Sequence, residues 1–302
     1  MEELSQQIKQ LIQENQKIKE QLGQQKLLIE KPQDACKELK KKVEQGETTL
    51  INLPFYIQIV PSKAFMNLKT LVEVSIPSSV TTIGYAAFSG CTSIKKIKIP
   101  KSVTVIGQSS FFGCISLEEI TIPNSVVFIS TSAFADCKSL KSIEIPKSVS
   151  TIEVEVFSGC ESLVSVKLHA QVSIGTTAFC NCKSLSDFEI PASVDRIGPS
   201  AFYNCTSLKS VSIPFLLSVI EPSTFSGCSS LQKVVLPKTV QSIGSGAFNC
   251  CTSLTSVFIP SSVMTVGLSA FGGCTSLKTV DVSPKTMLAP DAFPENVQII
   301  HH

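Results

Sequence analysis

The sequence predicts a repeat solenoid, a parallel β-sheet wound from stacked coils, carried behind an N-terminal α-helical coiled coil. Three columns of residues predict it. Prolines recur every 23 residues at Pro54, Pro77, Pro100, Pro123 and Pro146, and after one slip at Pro191, Pro214, Pro237 and Pro260. Phenylalanines keep the same beat from Phe65 to Phe271, and cysteines from Cys91 to Cys274. A period of this length implies one supersecondary unit per repeat, which buries its apolar side chains only by stacking on its neighbours.

The chain divides into four parts: 1–31, a coiled-coil helix; 32–53, a linker and capping helix; 54–282, a solenoid of about ten 23-residue coils; and 283–302, a C-terminal cap. Residues 2–30 are rich in Gln, Lys and Glu. Leu4, Ile8, Leu11, Asn15, Ile18, Leu22, Gln25 and Ile29 alternate at spacings of four and three, a heptad seam. Ile8, Asn15, Leu22 and Ile29 take its first core position, where a lone Asn favours a parallel two-stranded coil. The expected assembly is therefore a parallel homodimer. Pro32 is expected to end this helix. A second short helix then follows, capped by Asp34, with Cys36, Leu39 and Val43 on one apolar stripe and Gly46 closing it. It would cover the first coil.

Within a coil such as 77–99, Val80, Ile83, Phe88, Cys91, Ile94, Ile97 and Ile99 are expected to point inward. The alternation ending at Ile97-Lys98-Ile99 argues for a short strand, which Pro100 stops because proline has no N–H to donate. Gly84 and its equivalents suit a tight backbone corner. The coil 169–190 is one residue short and puts His169 where proline belongs, so a local irregularity is expected there. Segment 283–302 loses the phase and is expected to cap the exposed end.

Tracts such as IPSSVTTIGYAAFSGCTSI (76–94) and IPKSVTVIGQSSFFGCISL (99–117) closely resemble the BspA-like, or Treponema-type, leucine-rich repeat. The resemblance covers about residues 54–282 in phase. It implies a leucine-rich-repeat horseshoe with a parallel β-sheet and a recognition role, often at a cell surface as an adhesin or antigen.

Composition narrows the function. Hydrophobic residues make up 43% and charged residues 17% of the chain, below the roughly 25% charged of an average domain, so a long core is affordable. Only Arg196 is an arginine, and no basic stripe is visible along the sequence, which argues against nucleic acid as a partner. No secretory signal and no apolar run near 18 residues is present, so no membrane insertion is expected and the location reads as cytoplasmic; the resemblance leaves surface association open. The cysteines sit in phase with inward Phe and Leu and read as buried small hydrophobes rather than a zinc site. No catalytic motif accompanies His169, and neither an enzymatic role nor a cofactor is expected.

A protein partner remains. Two residues before each proline, the side chain should face out of the sheet. That column is Ser75, Lys98, Thr121, Glu144, Lys167, Glu189, Ser212, Val235, Phe258 and Asp281, polar until Val235 and Phe258. The pair after the proline is polar in coils such as Ser78-Ser79 and Lys101-Ser102 but becomes Phe215-Leu216. Phe215, Leu216, Val235 and Phe258 are the candidate partner-binding residues, since a contiguous exposed apolar patch marks an interaction site.

Overall fold

The structure, a computed structural model, describes residues 6, 13–17, 19, 32–169, 172–186 and 188–301. Asn15 is helical and exposed. The other seam positions, Leu4, Ile8, Leu11, Ile18, Leu22, Gln25 and Ile29, lie outside the described residues.

Helix α1 spans Pro32–Glu44. Pro32 is the first residue of this helix, where its missing N–H is one that would go unpaired anyway; the end of the preceding helix lies outside the described residues. Asp34 lies in the first turn rather than at the cap, next to Lys37 at 3.0 Å. Ala35, Cys36 and Val43 are buried and Leu39 is partly buried on the first coil, the covering role expected of this stripe. Gly46 ends the helix with φ +72°, and the N–H of Glu47 returns to the carbonyl of Lys42.

Each coil then has three sides. The first carries a three- or four-residue strand, as at Glu73–Ser75, Lys96–Lys98 and Glu119–Thr121, with the middle residue buried and its neighbours outward. Pairing is parallel and exactly one coil apart in register, Lys96 to Glu119 and Phe258 to Asp281. The proline after the strand opens a tight turn: the N–H of Val80 bonds the carbonyl of Pro77, and that of Val103 the carbonyl of Pro100. A two-residue strand forms the second side, as at Thr82–Ile83, Val105–Ile106 and Phe128–Ile129.

Glycine separates the second side from the third. Its φ is not positive. The constraint at Gly84 is close approach, since a Cβ there would lie 2.5 Å from the carbonyl oxygen of Val60 in the preceding coil. On the third side, alternate residues bond within the coil and across coils. The N–H groups of Ala86, Phe88 and Gly90 reach the carbonyls of Gln108, Ser110 and Phe112 one coil on. Those of Ala87, Ser89 and Cys91 fold back to Gly84, Ala86 and Phe88. This alternation needs two left-handed residues per coil. One column holds Asn67, Gly90, Gly113, Asp136, Gly159, Asn181, Asn204 and Gly227, types that tolerate positive φ. Cys250 continues it with φ +58°.

The core is a stack of rings. Phe65, Phe88, Phe111, Phe134, Phe157, Phe179, Phe202, Phe225, Phe248 and Phe271 are fully buried, with neighbouring centroids 5.1–5.6 Å apart. Beside them, each column cysteine is buried and hydrogen-bonds backward: Cys114 Sγ to the carbonyl of Phe88 at 3.2 Å, Cys137 to Phe111 at 3.3 Å, Cys205 to Phe179 at 3.2 Å. The column thus asks for a small apolar side chain that also donates, which explains why cysteine fills it. All twelve cysteines are free thiols.

Two segments depart from the 23-residue phase, as the sequence indicates. Segment 283–302 does not lose the stack. Phe293 lies 5.2 Å from Phe271, 22 residues on, and Gln298–His301 pairs with Thr279–Val282, 19 residues on, giving an eleventh coil that is four residues shorter than the 23-residue coils. Its Asp291 carboxylate accepts the N–H of Ser269 at 3.1 Å, where other coils offer a backbone carbonyl. The irregular coil, in turn, breaks the first side: among the described residues no strand forms at 188–190. Phe188 replaces the usual Ile or Val there and tilts against Phe179 and Phe202 at 5.4 and 5.0 Å. The third side runs through unbroken, with Phe157 N–H to Ala178 and Phe179 N–H to Ala201.

Candidate interaction surface

Alternation along the first-side strand puts every residue two before the proline on one outward column. Ser75, Lys98, Thr121, Glu144, Lys167, Glu189, Ser212, Val235 and Phe258 are all exposed, and Asp281 is half-buried. The column changes character along the stack.

In the earlier coils it belongs to a charge lattice. Lys96 reaches Glu119 at 2.8 Å, Lys141 reaches Glu118 at 3.3 Å, and Lys167 reaches Glu144 at 3.1 Å, each across one coil step. Glu144 also meets His169 Nε2 at 3.0 Å. Lys167 first, then His169, holds the Glu144 carboxyl below the usual carboxylate range, and Lys96 does the same to Glu119. These pairs are exposed, so each contributes little to stability and serves mainly to keep the surface wet and matched in charge.

From Ser212 onward the surface turns apolar. Phe215 is 58% exposed, Leu216 49%, Val235 45% and Phe258 52%. Val235 pairs in register with Ser212, and Phe258 lies on the next strand. Leu216 departs from a structural rule. At its position in other coils a serine hydroxyl donates to the carbonyl one coil back: Ser79 to Ile57 at 2.8 Å, Ser102 to Val80 at 2.6 Å, Ser125 to Val103 at 2.7 Å, Ser262 to Val240 at 2.8 Å. Leucine gives up that bond and exposes hydrocarbon instead. Sites that break a local rule without a packing gain are where function is expected.

Three features escaped the sequence reading. Phe55-Tyr56 follows Pro54 in the position of Phe215-Leu216; Phe55 is 67% exposed, while Tyr56 packs on the core beneath the α1 end of the stack. A check of the pair after every proline would have found it. Secondly, Val127 and Phe128 are exposed on the second side, away from the candidate column. Thirdly, Lys209, Lys233, Lys238, Lys278 and Lys285 all fall on the first side or the turn that follows it, a basic grouping invisible in a linear scan.

Little here favours catalysis. His169 is engaged by Glu144. Among the described residues no group of His, Cys, Asp and Glu could hold a metal ion. Burial pushes the thiols of Cys91 and Cys228 up to about 12, which makes them inert rather than nucleophilic. No helix among the described residues is long and apolar enough to cross a membrane.

The family model for the BspA type leucine rich repeat region matches residues 58–186 and 172–299, in six copies. The chain is a BspA-type leucine-rich-repeat protein. Solved structures agree. A leucine-rich repeat protein from Bacteroides ovatus is 27% identical, with 84% of this chain and 83% of that one covered at a TM-score of 0.53. A leucine rich cell surface protein from Faecalibacterium prausnitzii is 26% identical over 84% of this chain and 87% of its own, at 0.56. A leucine-rich repeat protein from Eubacterium ventriosum, 22% identical with 83% of each chain covered at 0.52, shares the fold. No curated protein matches in sequence.

Proposed function

We propose that this BspA-type protein is a non-enzymatic recognition module that binds a protein partner through Phe215, Leu216, Val235 and Phe258. The observation that supports it most is Leu216, which stands where other coils have a hydrogen-bonding serine and exposes hydrocarbon next to exposed Phe215, in the turn after a first-side strand whose counterparts on the following coils expose Val235 and Phe258. The N-terminal seam, with Asn15 at a core position, would join two chains in parallel and present two such surfaces from one end, raising apparent affinity for a repetitive target. In a cytoplasmic setting this describes an adaptor or scaffold. The printed description of the Faecalibacterium relative favours a second setting, the cell surface, where the same surface would serve an adhesin or antigen.

Affinity capture with mass spectrometry tests the binding role. Phe215→Ser with Phe258→Ser should abolish capture of the partner that the parent chain retains. Val127→Ser with Phe128→Ser, on the second side, should leave it intact. Equal capture by a folded first-side variant overturns the assignment. Light scattering on the full chain and on a chain beginning at residue 32, which keeps α1 over the first coil, should give a dimer and a monomer; two equal masses reject the seam. Protease shaving of intact cells separates the two settings.

A further inference from the structure

Lysines on the first side are arranged in two ways. In the earlier coils they stand among Glu73, Glu118, Glu119 and Glu144; Lys96, Lys141 and Lys167 each pair with one of these across a coil step, whereas Lys95, Lys98, Lys101 and Lys147 form no ion pair among the described residues. In the later coils Lys209, Lys233, Lys238, Lys278 and Lys285 are exposed, and none forms an ion pair among the described residues. The one carboxylate on this side of these coils, Asp281, is half-buried and has an interaction of its own. The unpaired lysines flank the apolar residues on both edges. Lys209, Lys233 and Lys278 stand at the start of the strands, and Lys238 and Lys285 in the turns that follow them.

The spacing is informative too. Core rings of these coils repeat every 5.1–5.4 Å. A helix lying along the stack advances about 4.5–6 Å between side chains three or four residues apart, so its apolar face keeps step with the coils. An extended segment advances about 6.6 Å per pair of residues and falls out of step by more than 1 Å per coil.

We infer that the segment recognised is an acidic amphipathic helix of the partner, its apolar stripe on Val235, Phe258, Phe215 and Leu216 and its carboxylates among the five unpaired lysines. The inference rests on the binding role proposed above. A membrane fits less well, because the four apolar side chains are each about half covered by their surroundings and do not project as inserting residues would. Single-stranded nucleic acid fits less well, because Leu216 and Val235 offer no ring for a base to stack on and the guanidinium forks that read phosphate are absent here.

Fluorescence anisotropy with the full chain tests this. The probes are a labelled peptide with Leu or Phe at helical spacing and Glu elsewhere, the same peptide with Lys for Glu, and an acidic peptide with the order scrambled. Phosphatidylserine–phosphatidylcholine vesicles and a mixed-sequence single-stranded oligonucleotide compete. The acidic amphipathic peptide should bind at least about tenfold tighter than the basic and scrambled ones. Lys233→Glu with Lys238→Glu should weaken it by about tenfold or more without changing the circular dichroism spectrum, and added salt should weaken it further. Binding by none of the peptides, or equal binding by all three, overturns the inference. So does tighter binding of vesicles or oligonucleotide. Each of those results leaves the binding role to be judged by partner capture with the Phe215 and Phe258 variant, so the two failures are distinguishable.

Discussion

Replacing Phe134 with alanine removes a fully buried ring stacked on Phe111 at 5.3 Å and on Phe157 at 5.6 Å. Removing a core phenylalanine costs about 3–5 kcal/mol in lost transfer free energy and residual cavity. The site has little freedom to collapse, because its neighbours are held by the third-side ladder on both faces. A value near the top of that range, about 4–5 kcal/mol, is therefore expected. Phe293 is the control. It is only partly buried and has one stacked neighbour, Phe271 at 5.2 Å. Phe293→Ala should cost about half as much, roughly 2 kcal/mol. In a nearest-neighbour stack the interior defect should also weaken coupling between the two halves, so the Phe134→Ala unfolding transition should broaden or split. Urea denaturation followed by far-ultraviolet circular dichroism reads both effects. Equal losses at Phe134 and Phe293, with an unchanged transition width, would refute the view that stacked rings couple the coils.

Ser110 is fully buried in a column held by Ala87, Ala133, Ala201 and Ala247, and its hydroxyl has no hydrogen-bond partner among the described residues. Ser110→Ala should stabilise by about 1 kcal/mol, read as a raised urea midpoint; a lowered one would mean the hydroxyl is paired. Ellman titration of the folded chain should label exposed Cys250 quickly and half-buried Cys180 slowly, with the other ten thiols reacting only after unfolding. Rapid labelling of more than those two contradicts the buried column. Finally, the hydrogen bonds from Ser269 hold the Asp291 carboxyl below the usual carboxylate range. A lowered folded-state pKa means its contribution is complete above the ordinary aspartate pKa and is lost as pH falls through the folded value. Amide exchange in the last coil should therefore accelerate in acid before the middle coils change, and Asp291→Asn should flatten that dependence.

How far the sequence carried this picture varies with what each column does. Val80, Phe88, Cys91 and Ile97 were legible as inward because burial imposes a period, and a period survives substitution. Val235 and Phe258 were legible as outward for the same reason. Hydrogen-bonding roles were not. Nothing in the string distinguishes a serine that bonds back one coil, as Ser102 does, from a merely solvated one, so Leu216 looked like an apolar oddity rather than a lost bond. The position of Cys250 in the Gly, Asn and Asp column could have been read from the spacing before the neighbouring Cys251, since the column's residue types signal positive φ. The eleventh coil was missed because its strand comes four residues early and Pro284, Pro290 and Pro294 disguise its phase. The five lysines were missed because winding, rather than adjacency in the chain, brings them to one side.

The third-side ladder has an electrical consequence. The peptide groups joining Tyr85 to Ala86, Ala87 to Phe88 and Ser89 to Gly90 point their carbonyls at the preceding coil and their N–H groups at the following one. Every coil repeats this orientation, so peptide dipoles of about 3.5 D each add along the stack as they do along a helix. The first coil becomes the negative pole and the last coil the positive one. Each pole meets an opposite charge: Lys40 of α1 donates to the carbonyl of Met66 at 3.4 Å, and the Asp291 carboxylate takes the N–H of Ser269 at 3.1 Å. A solenoid of this kind is therefore polar from end to end, and substitutions of charge at Lys40 or Asp291 act on the partial charges left at the two ends of its ladder.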